Sequence, residues 1–131
     1  MTMPTITTFL MFEGNAEAAM NFYVSLVPDS EIKSISRYAE NEPGPAGTVK
    51  VAEFSLSGQP FMCIDSPASH GFTFTAAMSL YVKCETESQI DALFAKLSEG
   101  GQVLMALDAY PFSRKFGWLN DKYGVSWQLS L

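Results

Sequence analysis

The sequence predicts an α+β fold made of two β-α-β-β-β modules, with curved mixed sheets enclosing a cavity. Three observations carry this expectation. The order strand, helix, strand, strand, strand occurs twice, with the two copies offset by about seventy residues. Each copy holds one amphipathic helix with short links to its neighbours, which suits a helix covering one face of a sheet. The chain ends in a hairpin whose last strand alternates Val125, Trp127 and Leu129 with Ser126, Gln128 and Ser130, so that one face is apolar and the other polar. The single 131-residue domain is expected to comprise module one at about 4–66, a linker at about 67–76 and module two at about 77–131.

Ile6 to Phe12 is an apolar run of strand length, broken by Glu13-Gly14-Asn15. Asn15 is the expected N-cap of a helix running from Ala16 to Leu26. Ala19, Met20, Tyr23, Leu26 and Val27 fall on one side of that helix, and Pro28-Asp29 ends it. Glu31 to Arg37 reads as a strand and Asn41 to Gly47 as a loop. Thr48 to Leu56 and Phe61 to Asp65 read as a hairpin joined by Ser57-Gly58-Gln59-Pro60, and Ser66 to Thr75 forms the midpoint connection.

The second module begins with a strand over Ala77 to Cys84. Thr86-Glu87-Ser88-Gln89 is a capping box, in which the threonine accepts the third backbone N–H and the glutamine reaches back. Ile90, Leu93, Phe94 and Leu97 follow at i, i+3, i+4 and i+7, and Gly100-Gly101 stops the helix. Gln102 to Leu107, Phe116 to Asn120 and Val125 to Leu131 read as strands, with Asp108 to Lys115 as a connection. Asp121-Lys122-Tyr123-Gly124 is a tight turn in which Gly124 supplies positive φ.

Hydrophobic residues make up 47% and aromatics 13%, enough to build a packed core. A formal charge of −6 argues against nucleic acid and anionic membrane surfaces as partners, because both repel an acidic chain. No apolar run reaches the roughly eighteen residues of a membrane span, and the N-terminus has no basic flank or apolar signal core, so a cytoplasmic location is expected. Cys63 and Cys84 form neither a CxxC motif nor a disulfide framework. Both read as small core residues.

Glu53, Asp65 and His70 are the candidate acid/base residues. Glu53 lies mid-strand and faces either a cavity or solvent. Asp65 follows the fourth strand, where an aspartate also serves to start a turn. His70, the single histidine, lies near Asp65 and needs an orienting carboxylate to act as a base. Arg114-Lys115 near Tyr110 reads either as a clamp for an anionic ligand or as a solvated pair. Met11, Met20, Met62, Met78 and Met105 read as core filler, or as the wall of a cavity for a flat apolar ligand. Trp118 and Trp127 read as packing residues, with ligand stacking as the alternative.

Several segments together resemble the PhnB-like branch of the vicinal-oxygen-chelate (glyoxalase/bleomycin resistance/dioxygenase) superfamily, often labelled 3-demethylubiquinone-9 3-methyltransferase-like. They are Asn21-Phe22-Tyr23, Phe72-Thr73-Phe74-Thr75, Ser79-Leu80-Tyr81-Val82, Leu97-Ser98-Glu99-Gly100-Gly101, and Phe116-Gly117-Trp118 followed by Asp121 to Gln128. The resemblance covers essentially the whole chain and implies a homodimer. It also implies a comparison with metal-using members, whose last strand carries an inward-facing glutamate that binds a divalent metal. Their four ligand positions map here to Thr8, to Cys63 or its neighbour Ile64, to Ala77 or Met78, and to Gln128. None of these is a histidine or carboxylate, so no metal and no other cofactor is expected. No G-x-G-x-x-G occurs, so the nucleotide site of a methyl transfer from S-adenosylmethionine is not expected either.

Three functional readings follow. The first is a binding protein of the resistance type that holds a small apolar or aromatic molecule without turnover. The second is a metal-independent enzyme using Glu53, Asp65 or His70. The third is a metal-dependent lyase, isomerase or dioxygenase with unconventional ligands, against which Gln128 counts.

Overall fold

Alternating apolar residues fold the first half around one helix. In the computed structural model, which describes residues 3–131, the chain divides between Gly71 and Phe72 into two units. The first contains β1 (Thr8–Phe12), α1 (Ala16–Leu26), β2 (Glu31–Arg37), β3 (Val49–Leu56) and β4 (Gln59–Asp65). Its sheet has the order β1-β4-β3-β2, with β1 parallel to β4 and the other pairs antiparallel.

Register places Leu10, Phe12, Ala52, Phe54, Phe61 and Cys63 on one face, and all are buried. Ala16, Ala19, Met20 and Tyr23 of α1 are buried as well, and Met20 Sδ lies 3.9 Å from Cys63 Sγ. A fully buried large apolar side chain contributes about 1.5–3 kcal/mol. Ordinary residues differ in helix propensity by at most about 0.7 kcal/mol. Packing, rather than propensity, therefore holds α1, which contains the indifferent helix formers Asn21, Phe22, Tyr23 and Val24.

The start of α1 departs from expectation. Asn15 makes no side-chain cap. Asp65, at the end of β4, takes its place: Oδ1 accepts from Gly14 N at 2.8 Å and from Ala16 N at 2.9 Å. The β3–β4 turn is also tighter than expected. Ser57 and Gly58 both have positive φ and form a two-residue hairpin turn, so β4 starts at Gln59 and Pro60 pairs with Ser55.

The second unit contains β5 (Ser79–Lys83), α2 (Glu87–Ser98), β6 (Gln102–Tyr110), β7 (Ser113–Asn120) and β8 (Ser126–Ser130). Its sheet repeats the plan as β5-β8-β7-β6, with β5 parallel to β8. The fold is thus α+β, with two four-stranded mixed sheets and a helix in each unit. Neither sheet closes into a barrel, because each ends in two edge strands.

At the start of α2, Thr86 Oγ1 accepts from Gln89 N and Gln89 Oε1 accepts from Glu85 N, so the glutamine reaches one residue further back than in the simple box. Phe94 of α2 lies over Gly117 of β7, where an added Cβ would sit 2.4 Å from the ring; only glycine admits this approach. Gly124 has φ 91° in the β7–β8 turn, as its place in the sequence requires.

Two second-unit boundaries differ from expectation. Asp108 to Lys115 is no loop: β6 runs to Tyr110 and β7 starts at Ser113. Three register shifts between these strands break the period-two pattern, and Tyr110, Phe112 and Phe116 cluster around the turn with centroids 4.9–5.9 Å apart. Ala77 and Met78 lie ahead of β5, and Met78 is exposed. Among the described residues, no helix is long and apolar enough to cross a membrane.

Candidate functional site

In each unit the face turned away from the helix is the open one. On the first sheet, alternation sends Phe9 and Met11 of β1, Met62 and Ile64 of β4, and Glu53 of β3 to that face. Thr8 and Cys63 lie on the opposite face, where Cys63 meets Met20 of α1. Glu53 is exposed, opposite Met62 on one side and Ser34 on the other.

Asp65 is only 2% exposed. Besides the two amides at α1, its Oδ2 accepts from Val49 N at 3.0 Å. A carboxylate that ties three backbone donors together has a structural task, and its oxygens are already engaged. Burial, followed by the charge of Asp65, pushes the Cys63 thiol up to about 12, and burial also raises Cys84. Both thiols therefore stay protonated at neutral pH and are poor nucleophiles and poor metal ligands.

A hollow of about 230 Å³ opens beside Asp65, lined by residues that include Glu13, Gly14, Thr48, Ser66 and Ser69. Ser66 Oγ lies 2.6 Å from His70 Nε2 at its rim. The same Oγ accepts from Ala68 N at 3.3 Å, which holds the hydroxyl within its own turn.

On the second sheet, register arranges the open face as three rows across β7, β8 and β5. They read Asn120–Ser126–Ser79, Trp118–Gln128–Tyr81 and Phe116–Ser130–Lys83. The first two rows share one hydrogen-bonded chain. Trp118 Nε1 donates to Ser126 Oγ at 2.9 Å, Ser126 Oγ and Ser79 Oγ are 2.7 Å apart, and Gln128 Nε2 donates to Ser79 Oγ at 3.1 Å. Asn120 Oδ1 is buried beside this chain without a hydrogen-bond partner among the described residues. Tyr81 is 60% exposed at the β5 edge.

Trp127 lies on the other face, 1% exposed, with Nε1 donating to Asp121 Oδ2 at 2.9 Å. The two tryptophans thus have opposite surroundings. Lys115 is held by Asp91 at 2.6 Å and Glu87 at 3.7 Å on the α2 side, whereas Arg114 is exposed.

Sequence reasoning singled out Gln128 but missed Ser79 and Ser126. Their signal, a polar residue at alternate positions of two strands, becomes readable only once β5 is known to pair with β8 in this register.

The residues at the four compared positions form a poor donor set for a divalent metal. Thr8 and Cys63 lie on the face opposite Ile64, Ile64 and Ala77 carry no side-chain donor, Met78 offers a thioether, and Gln128 offers a single neutral amide oxygen, its Nε2 being the atom bonded to Ser79. Among the described residues, no group of three or more His, Cys, Asp or Glu is placed to hold a metal ion.

The paired units and their open sheet faces define a protein of the glyoxalase/bleomycin resistance/dioxygenase fold. The family model described as 3-demethylubiquinone-9 3-methyltransferase matches residues 4–130, and the chain belongs to that family, the PhnB-like branch of the fold. A PhnB protein from Bacillus cereus, which carries the same methyltransferase label provisionally, is 69% identical with a TM-score of 0.96, over 98% of this chain and 99% of that one. Protein PA1353 from Pseudomonas aeruginosa is 23% identical with a TM-score of 0.83, over 98% and 97% of the two chains. The fosfomycin resistance protein FosX from Listeria monocytogenes is 8% identical with a TM-score of 0.61, over 99% and 92%, and shares the fold alone. No curated protein matches the chain.

Proposed function

We propose that this protein binds a small, uncharged, flat molecule on the open face of its second sheet and that it does so without a metal. The observation that carries the reading is the chain Trp118–Ser126–Ser79–Gln128. Where metal-using members of the superfamily carry a glutamate, this chain presents a neutral amide tied to a hydroxyl. Trp118 and Tyr81 flank Gln128 in the same row and supply aromatic surface for a planar ligand. A few placed polar groups set among aromatic side chains are what a small-molecule site requires.

A screen of small aromatic compounds by nitrogen–proton NMR tests this. The expected result is a saturable shift of the Trp118 indole N–H and the Gln128 side-chain amide, with Trp127 unmoved. If saturable shifts appear only around residues of the first unit, the site has been misplaced.

Glu53 supports a second reading, acid/base turnover, because it is an exposed carboxylate on the open face of the first sheet. Under that reading the bound compound is consumed, and Glu53→Gln abolishes its consumption.

A further inference from the structure

We infer that the second sheet's open face recognises a carboxamide or lactam, a ligand group with an N–H donor beside a C=O acceptor. The inference rests on the binding site proposed above and follows from counting its hydrogens.

The chain contains three contacts: Trp118 to Ser126, Ser126 with Ser79, and Gln128 to Ser79. The indole and the glutamine amide each supply one hydrogen. The serine–serine contact uses one of the two hydroxyl hydrogens, which leaves the other over. Its position is decided by burial. Ser126 is 1% exposed, whereas Ser79 is partly exposed. A spare donor on Ser126 would be buried and unpaired, and that is the costly arrangement. Ser126 therefore donates to Ser79, and the Ser79 hydroxyl keeps its own hydrogen free for a ligand.

Gln128 completes the pattern. Its Nε2 is committed to Ser79, and among the described residues no hydrogen bond ends on its Oε1. Nε2 is 3.1 Å from Ser79 Oγ and shares its planar carboxamide with Oε1, so Oε1 stands within about 5.5 Å of that hydroxyl, a span that one ligand amide bridges. The face thus offers a donor from Ser79 and an acceptor from Gln128 next to one another. A ligand amide matches both: its C=O accepts from Ser79 and its N–H donates to Gln128 Oε1. This closes a ring of four hydrogen-bonding groups, with Trp118 and Tyr81 in the same row to contact an attached aromatic ring. A carboxylate would set an acceptor against Oε1, and an ammonium would leave the Ser79 hydroxyl without an acceptor.

The test titrates benzamide, N,N-dimethylbenzamide and benzoate into the whole protein and follows the Trp118 indole N–H. Benzamide is expected to bind about tenfold or more tightly than the dimethyl analogue, because the missing N–H leaves Gln128 Oε1 unpaired. Benzoate is expected to bind more weakly than benzamide. In Gln128→Leu the preference for benzamide over its dimethyl analogue falls to about one, whereas Ser79→Ala, which removes the donor to the C=O that both compounds share, weakens the two alike and Ser79→Thr restores both. Should Ser79→Ala not fold, the ratio in the unaltered protein decides alone. Equal, saturable binding of benzamide and dimethylbenzamide, or tighter binding of benzoate, overturns the amide inference and leaves the binding reading standing. No saturable shift with any of the three overturns the inference, and the same null result across the wider aromatic screen removes the binding reading as well.

Discussion

Replacing Asp65 with alanine is expected to destabilise the first unit by about 3–5 kcal/mol, a large fraction of the roughly 5–15 kcal/mol that stabilises a typical domain. The carboxylate is 2% exposed and accepts from Gly14 N, Ala16 N and Val49 N. Its removal strands three backbone donors, and each orphaned buried donor costs about 1–3 kcal/mol. It also removes a negative charge from the start of α1, where the helix dipole favours one. Asp65→Asn should fall between the two, because Oδ1 still serves Gly14 and Ala16 while an NH₂ group faces the Val49 N–H. Urea denaturation followed by circular dichroism reads both variants. Were Asp65 instead a catalytic acid with no structural task, Asp65→Ala would unfold at the same urea concentration as the unaltered protein.

Asp121→Ala is expected to cost the second unit about 2–4 kcal/mol. Asp121 is 3% exposed; Oδ1 accepts from Tyr123 N at 2.8 Å and Val125 N at 3.1 Å, and Oδ2 accepts from the Trp127 indole at 2.9 Å. One carboxylate therefore closes the β7–β8 turn and satisfies the largest fully buried side chain. Thermal unfolding should show the loss, with a melting temperature lowered by about 10 °C or more. Fluorescence should redden as Trp127 gains access to water. An unchanged melting temperature would mean that the turn holds without Asp121. These two variants also bear on function. Losses of this size would show both buried carboxylates carrying the scaffold, with the neutral array on the second sheet and Glu53 on the first as the remaining candidate sites.

Much of the architecture is legible in residue order because it depends on local periodicity. Ile90, Leu93, Phe94 and Leu97 mark α2, Thr86 and Gln89 mark its start, and Val125, Trp127 and Leu129 mark β8. The errors arise where distant contacts override local signals. Asn15 looks like the cap of α1, but the hydrogen bonds come from Asp65, 49 residues from Ala16 in the chain. The β6–β7 hairpin was obscured because bulges interrupt alternation and because Tyr110-Pro111-Phe112 has loop composition although Tyr110 still belongs to β6. Within the site, Gln128 stands out as a polar residue on an amphipathic strand. Ser79 does not, because its significance depends on a parallel register that joins it to Ser126 across 47 residues.

The most direct test of a metal-free site is elemental analysis of the purified protein after incubation with Zn, Ni, Mn and Fe and removal of unbound ions. The account predicts that each metal remains far below one equivalent per chain, and that Gln128→Leu leaves that content unchanged. Retention of about one equivalent of a single metal, lost in Gln128→Leu, would contradict the account and make metal-dependent chemistry the leading explanation of the site.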